Sequence, residues 1–147
     1  MWPGSSVKTG NPTDLFLVDA SVWVAAAVRG HPKSGDARRL VRGGAPVAAL
    51  DLTVYEVVNA IGNRYAQPEQ ARKTVQALLR TCGGDLFQVD GSLAEELTAV
   101  AAERGLSAYD AAYVAAARRH GWQLVSLDVR DLVSKGLAVT PDAAVYP

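Results

Sequence analysis

Four acidic residues stand where the chain passes from one regular element to the next: Asp19, Glu56, Asp110 and Asp128. Asp19 directly follows the apolar run Leu15-Phe16-Leu17-Val18, and Asp128 comes two residues after Ser126, at the end of another such run. Asp110 lies in the first turn of a helical pattern, after Leu106-Ser107-Ala108-Tyr109, and Glu56 lies in the helix that follows Val47-Ala48-Ala49-Leu50. Carboxylates gathered at one place repel and raise one another's pKa values, and a divalent cation resolves the conflict. Oxygen-only ligands, with no His or Cys set beside them, point to Mg2+ or Mn2+ and away from Zn2+. Ions of that kind bind phosphates, activate water and stabilise a leaving oxygen.

Each acid also has an ordinary structural reading. Asp19 and Asp128 suit helix N-caps, Asp110 suits a positive helix N-terminus, and Glu56 suits an exposed helix face. Context weighs against these. Asp110 interrupts Tyr109-Asp110-Ala111-Ala112-Tyr113-Val114-Ala115-Ala116, an apolar, close-packing helix. Glu56 shares a face with Asn59 and Asn63, a narrow polar stripe without the Lys and Arg of a solvent face.

The elements that must position these residues follow from periodicity. Short apolar runs predict strands over Leu15–Val18, Val47–Leu50, Leu86–Val89 and Gln123–Ser126, with a last edge strand over Ala138–Thr140. Helices are expected over Val22–Val28, Gly35–Arg42, Leu52–Tyr65, Pro68–Cys82, Ser92–Glu103 and Ala108–His120, with a short one over Val129–Lys135. Pro68 is tolerated in a first turn. Ala71, Val75, Leu78, Leu79 and Cys82 then form one apolar stripe. Strands alternating with helices imply a mostly parallel sheet of four to five strands with helices on both faces. Ligands of such sheets bind outside the carboxyl ends of the strands, where Asp19 and Asp128 fall.

With that placement the motifs resemble a known family. Val18-Asp19-Ala20-Ser21 looks like the D-x-S/T opening of PIN-domain ribonucleases, and Tyr55-Glu56-Val57-Val58-Asn59-Ala60 looks like their E-x-x-N helix. Ser107-Ala108-Tyr109-Asp110-Ala111-Ala112-Tyr113 is similar to the Y-D-A-x-Y segment of the VapC-type toxins of that family. Val125-Ser126-Leu127-Asp128-Val129-Arg130-Asp131-Leu132 resembles their T-x-D-x-x-(F/L) segment, with Ser126 keeping the hydroxyl of the commoner Thr. The four motifs occur in order over about Leu15 to Val139. The resemblance implies a three-layer α/β/α PIN-like fold and an endoribonuclease that cleaves RNA phosphodiester bonds. It implies that Asp19, Glu56, Asp110 and Asp128 hold Mg2+ or Mn2+, with Ser21, Asn59 and Ser126 in support. Asp131 is a candidate outer member, with a helix-surface position as the simpler expectation. The resemblance further implies a homodimer, silenced by a cognate VapB-type antitoxin that covers the active-site groove.

The remaining sequence sets bounds. One domain is expected for 147 residues, with 1–13 as a flexible extension rich in Gly, Ser and Pro and 14–147 as the PIN-like domain. No apolar run approaches the roughly 20 residues of a membrane span. The lone Cys82 permits no internal disulfide and suits a reducing, cytoplasmic setting. Fifteen acids balance fifteen bases, so no global positive field advertises RNA binding. Setting the four site acids aside leaves eleven acids facing fifteen bases, and Arg38, Arg39 and Arg42 are the preferred phosphate contacts. His31 and His120 lie in no nucleophile motif, which removes a His-based general base. Two other functions fit an α/β sheet with acids at its edge. A haloacid-dehalogenase-like phosphatase wants a second Asp where Ser21 stands, and a non-catalytic PIN-like binding module has no need to keep all four acids.

Overall fold

The computed structural model describes residues 15–146; the expected N-terminal extension lies outside the described residues. Four strands, β1 (Phe16–Val18), β2 (Val47–Leu50), β3 (Leu86–Phe87) and β4 (Gln123–Val125), form one sheet in the order β3-β2-β1-β4. Every pairing is parallel: Leu17 lies opposite both Ala48 and Leu124, and Leu50 opposite Phe87. Parallel neighbours need helical crossovers, and the period-2 side-chain alternation sends successive strand residues to opposite faces.

Both faces are covered. Val18, Val47, Ala49 and Val125 point into one core, with α1 (Ala20–Ala27), α2 (Ser34–Arg42) and α4 (Pro68–Cys82). Leu17, Ala48, Leu50 and Leu124 point into the other, with α5 (Gly91–Arg104) and α6 (Ala108–His120). This is the expected three-layer α/β/α arrangement, all-parallel among the described strands. From β1 the chain winds outward to β2 and β3 on one side, then crosses the other face to place β4 on β1's free side. The winding direction reverses between β1 and β4, which opens a crevice at their carboxyl ends.

Several boundaries differ from the periodicity. The helix after β2 is α-helical only over α3 (Asp51–Val57) and widens to a π-helix over Val58–Arg64. A second π-helical segment, Val129–Val133, replaces the expected short helix Val129–Lys135. The expected fifth strand, Ala138–Thr140, reduces to a single bridge between Val139 and Val125. Pro141 ends it by opening a short helix, α7 (Pro141–Val145), that periodicity did not mark. Gly105 (φ 64°) and Gly121 (φ 69°) end α5 and α6 in the left-handed region that suits glycine.

Candidate functional site

Asp19 leaves the end of β1 and caps α1, accepting the Ser21 backbone N–H at 3.1 Å. The capping reading is therefore true, but it does not exhaust the residue. Asp19 is 5% exposed and sits over the crevice between β1 and β4. The Ser21 hydroxyl donates to Asp19 Oδ1 while accepting the Leu127 N–H at 2.9 Å. The buried Ser126 hydroxyl accepts the Asp128 N–H at 3.0 Å and also bonds the Asp19 carboxyl. Each hydroxyl thus accepts a backbone N–H from the loop after β4 and directs its own proton at Asp19. Burial pushes Asp19 up to about 6, against the pull of these hydroxyls, with the charge of Glu56 adding to the rise.

Glu56 projects from α3, half-buried. Tyr113 of α6 donates its hydroxyl to Glu56 Oε1 at 2.7 Å. The same hydroxyl lies 2.7 Å from Thr53 Oγ1, which accepts the Leu50 N–H at 3.2 Å. Because the single Tyr113 hydroxyl proton is given to Glu56, Thr53 is the donor in its bond to Tyr113. Tyr113 is 1% exposed and Thr53 fully buried, so this chain of hydroxyls is shielded from water. Burial also raises the Glu56 pKa, and the nearby charge of Asp110 adds to it.

Asp110 enters from the first turn of α6, where Ser107 caps the helix by accepting the Asp110 N–H at 3.2 Å. Asp128 caps the π-helical segment, accepting the Asp131 N–H at 3.0 Å. One carboxylate oxygen from each of Asp110, Asp128 and Asp131 lies within 4.8 Å of the others. Burial raises the Asp110 pKa, and the charges of Asp128 and Asp131 raise it further. Asp110 and Asp128 stand in hydrogen-bonding contact. Two carboxyl groups in such contact need a proton or a cation between them.

All four expected acids therefore border one crevice, joined by a run of electrostatic contacts from Asp19 through Glu56 and Asp110 to Asp128. They do not converge equally: the tight group is Asp110, Asp128 and Asp131, with Asp19 and Glu56 beside it. Asp131 joins the carboxylates, where a helix-surface position was the simpler expectation; its three-residue spacing from Asp128 was the available signal. Thr53 and Tyr113 also stand three residues from an acid, Glu56 and Asp110, one helical turn away on the same face.

A groove of about 570 Å3 adjoins Glu56, lined by Ser21, Asn59, Arg64, Tyr55 and Tyr109 among others. Asn59 there accepts a 3.3 Å hydrogen bond from Asn63. The expected phosphate contacts do not line it. Arg38 donates to the Ala26 carbonyl at 2.9 Å, and Arg39 pairs with Asp36 and lies 5.8 Å from the Tyr146 ring centroid. Arg42 borders a different groove with Trp23, Gln70 and Arg80.

The family model for the PIN domain matches residues 16–134. The chain belongs to the PIN-domain family. It is 32% identical over 131 residues to Ribonuclease VapC3 of Pyrobaculum aerophilum, spanning 86% of this chain and 98% of that protein. The crystal structure of PAE2754 from Pyrobaculum aerophilum superposes with a TM-score of 0.70 at 26% identity, covering 93% of this chain and 91% of that one. A toxin–antitoxin complex from Klebsiella pneumoniae matches at a TM-score of 0.63 and 21% identity, covering 85% and 96%.

The donor set fits a hard divalent cation. Three carboxylate oxygens lie close enough to share one ion, no thiol or imidazole stands among them, and their mutual repulsion raises the proton affinity of Asp110.

Proposed function

We propose that this PIN-domain protein is a divalent-metal-dependent endoribonuclease, acting as the toxin of a VapBC-type pair. One observation carries the reading: Asp110, Asp128 and Asp131 bring carboxylate oxygens within 4.8 Å of one another at the sheet's switch point, next to the buried Asp19 and the half-buried Glu56. The similarity to Ribonuclease VapC3 supports RNA as the substrate. The likeness to a chain from a toxin–antitoxin complex accords with a VapB-type antitoxin as partner.

Asp110, Asp128 and Asp131 would hold Mg2+ or Mn2+, with Asp19 and Glu56 completing the negative environment directly or through water. When bound, the ion offsets carboxylate charge, activates water and stabilises the departing oxygen of a phosphodiester. The protein's own contribution is positional. Ser21 from α1 and Ser126 from the end of β4 fix the Asp19 carboxylate, and Tyr113 fixes Glu56 from α6. Their hydroxyls leave little rotational freedom to either acid, so the reacting geometry is set before RNA arrives. A homodimer and a cytoplasmic setting complete the proposal. Among the described residues no helix is long and apolar enough to cross a membrane.

Cleavage of RNA in Mn2+ or Mg2+, against EDTA and Asp19→Ala controls, tests the reading. Metal-dependent cleavage that the substitution abolishes is the expected result. Cleavage in EDTA, or full activity of Asp19→Ala, overturns the site. Growth arrest on expression, relieved by a co-expressed partner protein, is expected of a toxin; unimpaired growth with an active nuclease rejects that role.

A further inference from the structure

A second groove, of about 330 Å3, lies where α1, α2 and α4 meet. It shares no lining residue with the groove beside Glu56. The two open on different faces of α1: Ser21 and Val24 line one, Trp23 and Ala27 the other. The lining of the second groove is partly apolar, and two of its polar side chains are used by the fold. Gln70 donates to the Ala27 carbonyl at 3.3 Å, which ties α4 to α1, and Thr74 donates to the Gln70 carbonyl at 2.7 Å.

Its charge has one sign. Arg42 from α2 and Lys73 and Arg80 from α4 line it, all three exposed, and no acid does. None of the three forms an ion pair or a hydrogen bond with another described residue. Neighbouring bases on the same helices are taken. Arg72 binds Glu69, Arg39 pairs with Asp36, and Arg38 holds the Ala26 carbonyl. A cleft lined by cations alone focuses its field and concentrates anions. Lys73 and Arg80 stand seven positions apart on α4, about 10 Å along the helix. The charge is thus laid out along the groove, which suits a chain of phosphates better than a single one. Trp23 is 2% exposed, so it offers no open ring face on which a base could stack.

Resting on the nuclease reading, we propose that this groove is a second RNA contact, apart from the carboxylates, which holds backbone phosphates of a segment flanking the one that is cut. Arg42, Lys73 and Arg80 are its phosphate contacts. Contacts of this kind fix register and orientation and carry no sequence information. α1 stands between the two grooves, and a helix with its side chains is about 10–12 Å across. An RNA must extend past α1 to engage both, which favours substrates longer than the few nucleotides around the scissile bond. Binding energy gained there is the same before and during the chemical step, so it lowers KM and leaves kcat alone.

Binding of a fluorescein-labelled hairpin RNA to the full chain in EDTA, followed across a range of salt concentrations, tests this without requiring cleavage. Arg42→Gln, Lys73→Gln and Arg80→Gln should each lower the slope of log affinity against log salt by roughly 0.7–0.9, and the triple variant by about two to three. Arg118→Gln, whose guanidinium pairs with Glu103, should leave the slope as it is. In Mn2+ the triple variant should cut the hairpin with a raised KM at a kcat close to wild type. An unchanged slope in the triple variant overturns the proposal. So does an equal loss of slope in Arg118→Gln, which would make the effect one of total charge. A fall in kcat at constant KM also overturns it, because it would move the three residues into the chemical step. Wild-type RNA binding by a triple variant that no longer copurifies with a co-expressed antitoxin would assign the groove to the protein partner instead. Loss of slope as expected, with no cleavage in Mn2+ by the wild-type chain, would reject the nuclease reading alone.

Discussion

Tyr113 donates its hydroxyl to Glu56 Oε1 at 2.7 Å, across 57 residues of sequence and between two helices on opposite sides of the sheet's end. The bond is the last link in a run that starts at the Leu50 N–H and passes through Thr53. Backbone geometry at the end of β2 is thereby tied to the orientation of a site carboxylate.

Removing that hydroxyl leaves Thr53 and Glu56 without their shared partner. Tyr113→Phe keeps the ring and its packing, so the fold should survive with a loss of about 1–3 kcal/mol, readable in a urea titration. RNA cleavage should fall by about 10-fold, in line with the loss of an orienting hydrogen bond, and the Mn2+ concentration for half-maximal activity should rise. Thr53→Ser, which preserves the hydroxyl beside an intact Tyr113, should retain near wild-type values. Unchanged Mn2+ dependence in Tyr113→Phe would show that the bond does not position Glu56.

Without a cation, burial of Asp19 makes the protein's stability fall as pH rises. The carboxyl titrates at about 6 in the folded chain and at the ordinary 3.8 when unfolded. The folded state therefore holds the extra proton between those values. Its cost in stability is absent below 3.8, grows up to about pH 6 and is fully present above, at about 3 kcal/mol. The raised pKa values of Glu56 and Asp110 act in the same direction. Thermal melting in EDTA should thus show a higher midpoint at pH 5 than at pH 8, and Mn2+ should narrow the gap. A midpoint that climbs with pH in EDTA would contradict the burial argument.

Asp131 belongs with the carboxylates, and its substitution should show it. Asp131→Asn is expected to weaken Mn2+ binding by about 10-fold, in the range seen when a ligand's supporting groups are lost. Calorimetric titration of the full chain measures this directly. Arg118→Gln, whose guanidinium pairs with Glu103 away from these carboxylates, serves as the surface control and should leave binding unchanged. Equal affinities in the two variants would return Asp131 to the surface role its sequence context suggests.

Arg38 should matter for stability and little for RNA. Its guanidinium closes α2 onto the end of α1 through the Ala26 carbonyl. Arg38→Met should cost about 0.5–1.5 kcal/mol in denaturant unfolding and leave the rate of RNA cleavage within two-fold. A selective loss of RNA affinity at unchanged stability would restore Arg38 as a phosphate contact.

The sequence by itself determined the elements and the chemistry of the acids. Strand and helix periods are local, so β2 and α6 fall at the residues expected, and α4 follows its apolar stripe. Asp19, Glu56, Asp110 and Asp128 were legible because acids at the ends of apolar elements have few ordinary explanations together. Tertiary structure decided what lies beyond one element's own period. The two π-helical segments widen the turn at Asn59 and at Asp131, a hydrogen-bond choice that periodicity does not encode. The fifth strand failed because Pro141 begins a helix immediately after Thr140, which leaves only the bridge at Val139. Among the basic residues, Arg38 was claimed by a carbonyl on α1, whereas Arg64 lines the groove beside Glu56 with no ion-pair partner among the described residues. Sequence displays charge, but which charge remains available depends on the partners that packing brings within reach.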